Sequence, residues 1–120
     1  EGITLDDVQK ALNAVCLHED LKKFQEGLHT VLDPAGRKIP ESMVSKLILA
    51  RALVSKPKVL IMEDPLKGIS VPNSELIVKN LLSHENMGLI VSSVNPIWEK
   101  YIKREITLIK NEDQTVKDYA

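Results

Sequence analysis

Apolar residues recur at helical spacing near the start of the chain, at Leu5, Val8, Leu12 and Val15. Thr4, with Asp7 three residues on, supplies a helix N-cap and a first-turn acid, so the pattern predicts a helix over residues 5–15. A shorter helix is expected over residues 19–25, with Leu21 and Phe24 turned inward and Gly27 as its stop. The segment "TVLDPAGRKIP" is a connection, its turns supplied by Asp33, Pro34 and Gly36. Pro40 stands where its missing N–H costs nothing, in the first turn of a helix predicted over residues 41–55. Met43, Val44, Leu47, Ile48, Ala50, Leu53 and Val54 spread over more than one side of that helix. Burial around most of its circumference is expected, with Arg51 capping or pairing near the core.

Pro57 ends the third helix, and "KVLIM" follows without polar alternation, the pattern of a strand covered on both faces. Asn73 or Ser74 is expected to cap a helix running through Leu82, and "GLIVS" at residues 88–92 reads as a second buried strand. Asn95 and Pro96 open a short helix whose Trp98 and Tyr101 should pack beside the last strands. Residues 105–110 alternate like a half-exposed strand, and residues 115–119 return beside it as a hairpin across "NEDQ". The order predicts an α/β chain: a parallel sheet core with an N-terminal helical subdomain, dividing into residues 1–56 and residues 57–120.

Composition narrows the partners. The chain has 120 residues, 43% hydrophobic and 28% charged, enough for one small core. The net charge of −1, with both signs interspersed, gives no basic stripe to hold a phosphate backbone, so nucleic acid is not expected as a partner. The single cysteine, Cys16, has no second thiol for a disulfide or a zinc site, and reads as a small apolar side chain. His18, His29 and His84 are scattered without ligand spacing. The longest apolar runs are too short to span a bilayer, and the chain is expected to be soluble.

Parallel α/β sheets bind ligands just beyond the carboxyl ends of their strands. Glu63 and Asp64 stand at such an end, after "KVLIM", and Ser93 stands at the end of "GLIVS". That placement singles the acidic pair out from ordinary loop charge.

The stretch "EGLHTVLDPAGRKIPESMVSKLILARALVSKPKVLIMEDPLKGIS" carries a resemblance. With "LARAL" at 49–53, proline at 57 and the "KVLIM" strand in register, the chain from about residue 3 onward resembles the second half of the nucleotide-binding domain of an ATP-binding cassette (ABC) transporter, exporter type. The resemblance implies a partial P-loop NTPase fold and ATP with Mg²⁺ as cofactors. It implies a transmembrane transporter domain and a second nucleotide-binding domain as partners, at the cytoplasmic face of the cell membrane. It also assigns roles residue by residue. Ile39, Pro40, Glu41, Ser42 and Met43 stand where the family has its LSGGQ signature for nucleotide phosphate; Glu63 takes the place of the Mg²⁺-holding aspartate; Asp64 takes that of the catalytic glutamate; and Ser93 takes that of the switch histidine.

Every one of these positions departs from the family. Pro40 lacks a hydroxyl and an amide donor, and Glu41 brings a carboxylate to where glycine allows close approach. Near phosphate oxygens such a charge costs on the order of 1 to 4 kcal/mol. The acidic pair is inverted, Ser93 has no imidazole, and Lys67, Gly68, Ile69 and Ser70 replace the usual SALD. No G-x-x-x-x-G-K-[ST] cradle occurs, so a fragment of a longer polypeptide is expected, one that binds no ATP alone and whose strand edge favours a homodimer or a dimer with swapped elements. Two other readings stay open: a pseudo-ATPase docking module, and a receiver-type phosphoacceptor domain. The latter requires a longer doubly wound sheet with a later strand ending in aspartate, which neither remaining strand candidate supplies.

Overall fold

The computed structural model describes residues 2–35, 37–108 and 115–118. Helix α1, Leu5–Ala14, opens on a capping box: the Asp7 N–H donates to Thr4 Oγ1 at 3.2 Å, and the Thr4 N–H donates to the Asp7 carboxylate at 3.0 Å. The next helix, α2, covers only His18–Leu21, and a 3₁₀ turn, Gly27–His29, follows it. The expected helix over residues 19–25 is therefore broken: after Leu21 the chain continues in turns, closed by Phe24 N–H to Leu21 O at 3.1 Å and Gly27 N–H to Phe24 O at 3.1 Å. Gly27 has φ of +51°, which suits a residue without a Cβ.

Helix α3 runs Glu41–Val54 with Pro40 as its N-cap, one position before the first turn expected of that proline. Met43, Lys46, Leu49, Ala50 and Leu53 make its buried face, at spacings of three and four. Burial around the whole helix is corrected by Ile48, which is 65% exposed, and by Arg51, which is exposed. The reason is that α1 packs against one side of α3 and leaves the Ile48 side open among the described residues. The buried cation of this helix is Lys46, 4% exposed, and not Arg51.

Strand β1, Val59–Glu63, lies parallel to β2, Gly88–Ser92, in a two-stranded sheet with Val59 opposite Gly88 and Glu63 opposite Ser92. Helix α4, Val71–Leu82, makes the crossover between them. It begins earlier than expected: Ser70 is the N-cap and Pro72 sits in the first turn, so Asn73 and Ser74 lie inside the helix. The strands were expected to be covered on both faces, and they are not. Leu60 is buried and Met62, Leu89 and Val91 join the helices in one core, while Val59, Ile61 and Ile90 are exposed. A single helical layer covers a single face, so burial alternates along both strands.

After β2, Asn95 caps a 3₁₀ helix, Pro96–Lys100, by accepting from the Ile97 N–H at 3.1 Å. Ile97 and Trp98 are buried and Tyr101 is half-buried; this segment packs on α4, with Lys100 to Glu75 at 3.1 Å. Strands β3, Arg104–Thr107, and β4, Thr115–Asp118, pair antiparallel as a hairpin. Its "NEDQ" connection lies outside the described residues, as does Gly36 of the earlier turn.

Candidate functional site

Hydrogen bonding in the parallel pair brings three of the singled-out residues to one end of the sheet. Glu63, the last residue of β1, sits opposite Ser92, and the Asp64 N–H donates to the Ser92 carbonyl at 2.8 Å. Ser93 follows directly, its Oγ accepting from the Asn95 N–H at 3.1 Å. Asp64 has φ of +40°, a left-handed conformation that aspartate tolerates better than most side chains, and it turns the chain off the strand end. Its carbonyl accepts from the Lys67 N–H at 3.2 Å, and the Leu66 carbonyl accepts from the Ile69 N–H at 3.1 Å, so residues 64–69 form a tight turn. The Glu63 and Asp64 side chains are exposed and make no hydrogen bond or ion pair among the described residues.

Residues 39–43 lie apart in sequence, at the amino end of α3. The Pro40 carbonyl accepts from the Met43 and Val44 amides at 3.0 and 3.1 Å. Met43 is buried, Ser42 and Ile39 are half-buried, and Pro40 and Glu41 are exposed. The turn after Asp64 connects this end to the acidic pair. Lys67 Nζ stands 3.1 Å from Glu41 Oε1, and Ser45 Oγ donates to the Lys67 carbonyl at 2.7 Å. Gly68, with φ of +74°, is pressed against the same helix end: a Cβ there would meet Ser42 N at 3.1 Å and Glu41 Oε2 at 3.1 Å. A helix N-terminus ordinarily favours an anion, and here the chain's own Glu41 carboxylate stands at it.

Oxygen donors at the strand end suit a hard cation such as Mg²⁺. The pair does not form a complete set: no group of three or more histidine, cysteine, aspartate or glutamate side chains placed to hold a metal occurs among the described residues. His18, His29 and His84 belong to separate segments, and His84 Nδ1 lies 2.9 Å from the Asn80 carbonyl.

Other carboxylates are committed to the fold. Asp20 accepts from Lys46 Nζ at 2.7 Å, and Lys46 also donates to the Cys16 carbonyl at 3.3 Å. Burial pushes the Asp20 carboxyl up, but hydrogen bonds from Lys46 and Lys23 outweigh it and hold the group below its ordinary value. Burial likewise raises the Cys16 thiol, against the opposing charge of Lys46, which makes it a poor nucleophile. Asp7 is held far below the usual carboxylate range, first by the Lys56 ammonium at 2.7 Å and then by Thr4. Sequence reasoning missed Lys46 and the contacts of residues 67 and 68. The first had a signal: a lysine midway between Met43 and Leu49 on the apolar stripe can remain there only if paired. A cleft of about 780 Å³ opens at the opposite end of the sheet, where Ala14, Val54, Pro57 and Met87 meet Lys56, Lys58 and His84.

No family model matches the chain. Among curated proteins it is 32% identical over 87 residues to the multidrug resistance-like ATP-binding protein MdlB of Buchnera aphidicola, an alignment covering 72% of this chain and 15% of that protein. It is 28% identical over 81 residues to a probable multidrug resistance ABC transporter ATP-binding/permease protein of Bacillus subtilis, covering 68% of this chain and 14% of the other. A solved bacterial Atm1-family ABC exporter with ATP bound superposes with a TM-score of 0.84 over 94% of this chain and 20% of its own, at 15% identity. That likeness fixes the fold alone. The chain spans 16% or less of the curated relatives it matches. No helix among the described residues is long and apolar enough to cross a membrane.

Proposed function

We propose, since this chain belongs to the family of ABC exporter ATP-binding proteins, that it forms the rear half of such a domain with a degenerate nucleotide site. Residues 1–56 serve as the helical subdomain and residues 57–120 as the rear of a P-loop NTPase core. Its partners are a transmembrane transporter domain and a second nucleotide-binding domain, at the cytoplasmic face of the cell membrane. The relatives, an ATP-binding protein and an ATP-binding/permease protein, support the transmembrane partner.

One observation carries the degeneracy: Glu41 at the head of α3 pairs with Lys67 on the turn that leaves Glu63 and Asp64, at 3.1 Å. The two segments that would face nucleotide phosphate and metal are thus joined through a side chain of the wrong charge. Glu63 is the residue that would hold Mg²⁺, which when bound with ATP neutralises phosphate charge, and Asp64 stands in the place of the catalytic base. Pro40 and Glu41, with Ser42 and Met43, offer no approach for phosphate in the family's manner, and Ser93 supplies no titrating group near neutral pH.

A docking module without turnover is the second reading, favoured by the same ion pair. ATP turnover of the full-length protein carrying Asp64→Gln separates active from degenerate. Turnover unchanged within about twofold is expected, whereas a loss of a hundredfold or more, the usual weight of a positioned base, would overturn the degenerate reading.

A further inference from the structure

Residues 18–26 are bracketed by two residues in the left-handed region. Cys16, with φ of +57°, ends α1: its N–H donates to the Asn13 carbonyl at 3.1 Å and the Leu17 N–H donates to the Leu12 carbonyl at 2.9 Å, the paired hydrogen bonds of a helix end at which glycine ordinarily stands. Gly27, with φ of +51°, turns the chain at the other end. Between them the backbone bonds are short-range, from the Leu21 N–H to the Leu17 carbonyl at 3.0 Å and from the Phe24 N–H to the Leu21 carbonyl at 3.1 Å. Leu17 is fully buried, yet no residue from 18 to 29 is buried. Leu21 and Phe24 only partly cover the core, and a cleft of about 540 Å³ is lined by them together with Leu12 of α1. A segment with so little buried apolar surface draws its order from few contacts. Lys46 of α3 supplies one of them. Its buried ammonium lies 2.7 Å from Asp20 Oδ2 and donates to the Cys16 carbonyl at 3.3 Å, so one cation grips both the segment and the turn that leads into it.

We propose that residues 18–26 are a flap, hinged at Cys16 and Gly27 and clasped shut by Lys46, that opens while α1 and α3 stay packed. Opening swings Leu21 and Phe24 away from Leu12 and turns the cleft into an open groove along α1. While the flap is shut, Lys46 is compensated by Asp20; replacing its ammonium with an apolar side chain of similar length keeps the packing of α3 and releases Asp20. Lys23, which also reaches Asp20 at 3.3 Å, belongs to the flap, moves with it and adds nothing to its closure. The flap does not depend on the transporter reading.

Native-state hydrogen exchange of the 120-residue chain, followed amide by amide in low urea, tests it. In the wild type the Leu21 and Phe24 amides should be protected at least tenfold less than the Leu49 and Leu53 amides of α3. Their exchange should also depend more weakly on urea, because opening the flap exposes less surface than unfolding the chain. In Lys46→Met, exchange at Leu21 and Phe24 should rise about tenfold or more. Should that variant fail to fold, Asp20→Asn removes the charge from the flap side and is read in the same way. Equal protection and equal urea dependence of the two groups in the wild type would overturn the flap. An unchanged rate at Leu21 and Phe24 in a folded variant would overturn the clasp. ATP turnover does not enter this readout, so the flap and the degenerate-ATPase reading fail separately.

Discussion

The helical front of the molecule and the carboxyl ends of its parallel strands treat carboxylates in opposite ways. In front, Asp20 is bound to the buried Lys46 at 2.7 Å and Asp7 to Lys56 at 2.7 Å, each closing a contact between separated segments. At the strand ends, Glu63 and Asp64 are exposed and their side chains have no partner among the described residues. Acids that hold a fold together are paired with a cation of the same chain. Acids left open at a strand end are spent on no such pairing, which makes them dispensable to stability and available to a ligand or to nothing. This contrast separates the charges that hold the fold from those that do not.

The sharpest way to break the comparison is to remove one member from each region. Lys46→Ala strands Asp20 and opens a hole under α3, and should cost about 2–4 kcal/mol of unfolding free energy in urea. Lys23, which also reaches Asp20 at 3.3 Å, keeps the loss from going higher. Asp64→Asn, by contrast, should leave stability within about 0.5 kcal/mol. Equal losses in the two variants would abolish the distinction between paired and open acids.

Acid titration of stability sharpens it next. Asp7 and Asp20 both have folded-state values below the ordinary ones, so folding binds these carboxylates preferentially in their ionised form. Their contribution is complete above the unfolded value, near pH 4, and is lost as pH falls through the lower folded values. Unfolding midpoints should therefore hold from about pH 7 to pH 5 and decline steadily below about pH 4. In Lys46→Ala the part of that decline due to Asp20 should shrink.

Much of this arrangement could be read from the chain, and the parts that could not share a cause. Helix α1, the hairpin and the two parallel strands follow from local periodicity and caps such as Thr4 and Asn95, which act within a few residues. The placement of Glu63, Asp64 and Ser93 at one sheet end follows from parallel pairing. What escaped depends on neighbours distant in sequence. Arg51 and Lys46 lie five residues apart on one helix, and only the position of Asp20 and Cys16 decides which of them is buried. The contact of Gly68 with Ser42 likewise spans more than twenty residues, and nothing in "DPLKGIS" marks it. Continuous apolar runs misled for a related reason: "KVLIM" has the pattern of a doubly covered strand, but only one layer of helix lies against it among the described residues.

That mismatch supplies the smallest of the expected effects, and one that depends on context. Ile61 is 73% exposed and stands opposite Ile90, itself 56% exposed, on the face of β1 and β2 turned away from the helices. An exposed side chain surrenders little when shortened, so Ile61→Thr in the 120-residue chain should change unfolding free energy by no more than about 0.5 kcal/mol. β-branching is kept, so the strand's backbone preference is kept too. The unbroken apolar composition of the strand has no use on an open face, because water-facing positions of a sheet accept threonine as readily as isoleucine. It has a use if other protein covers that face in the full-length protein, in which case the same substitution buries an unpaired hydroxyl and should cost about 1–3 kcal/mol. Comparing the variant in both settings therefore measures whether Ile61 is surface or core. A cost below about 0.5 kcal/mol in both would mean that the apolar strand face is simply exposed.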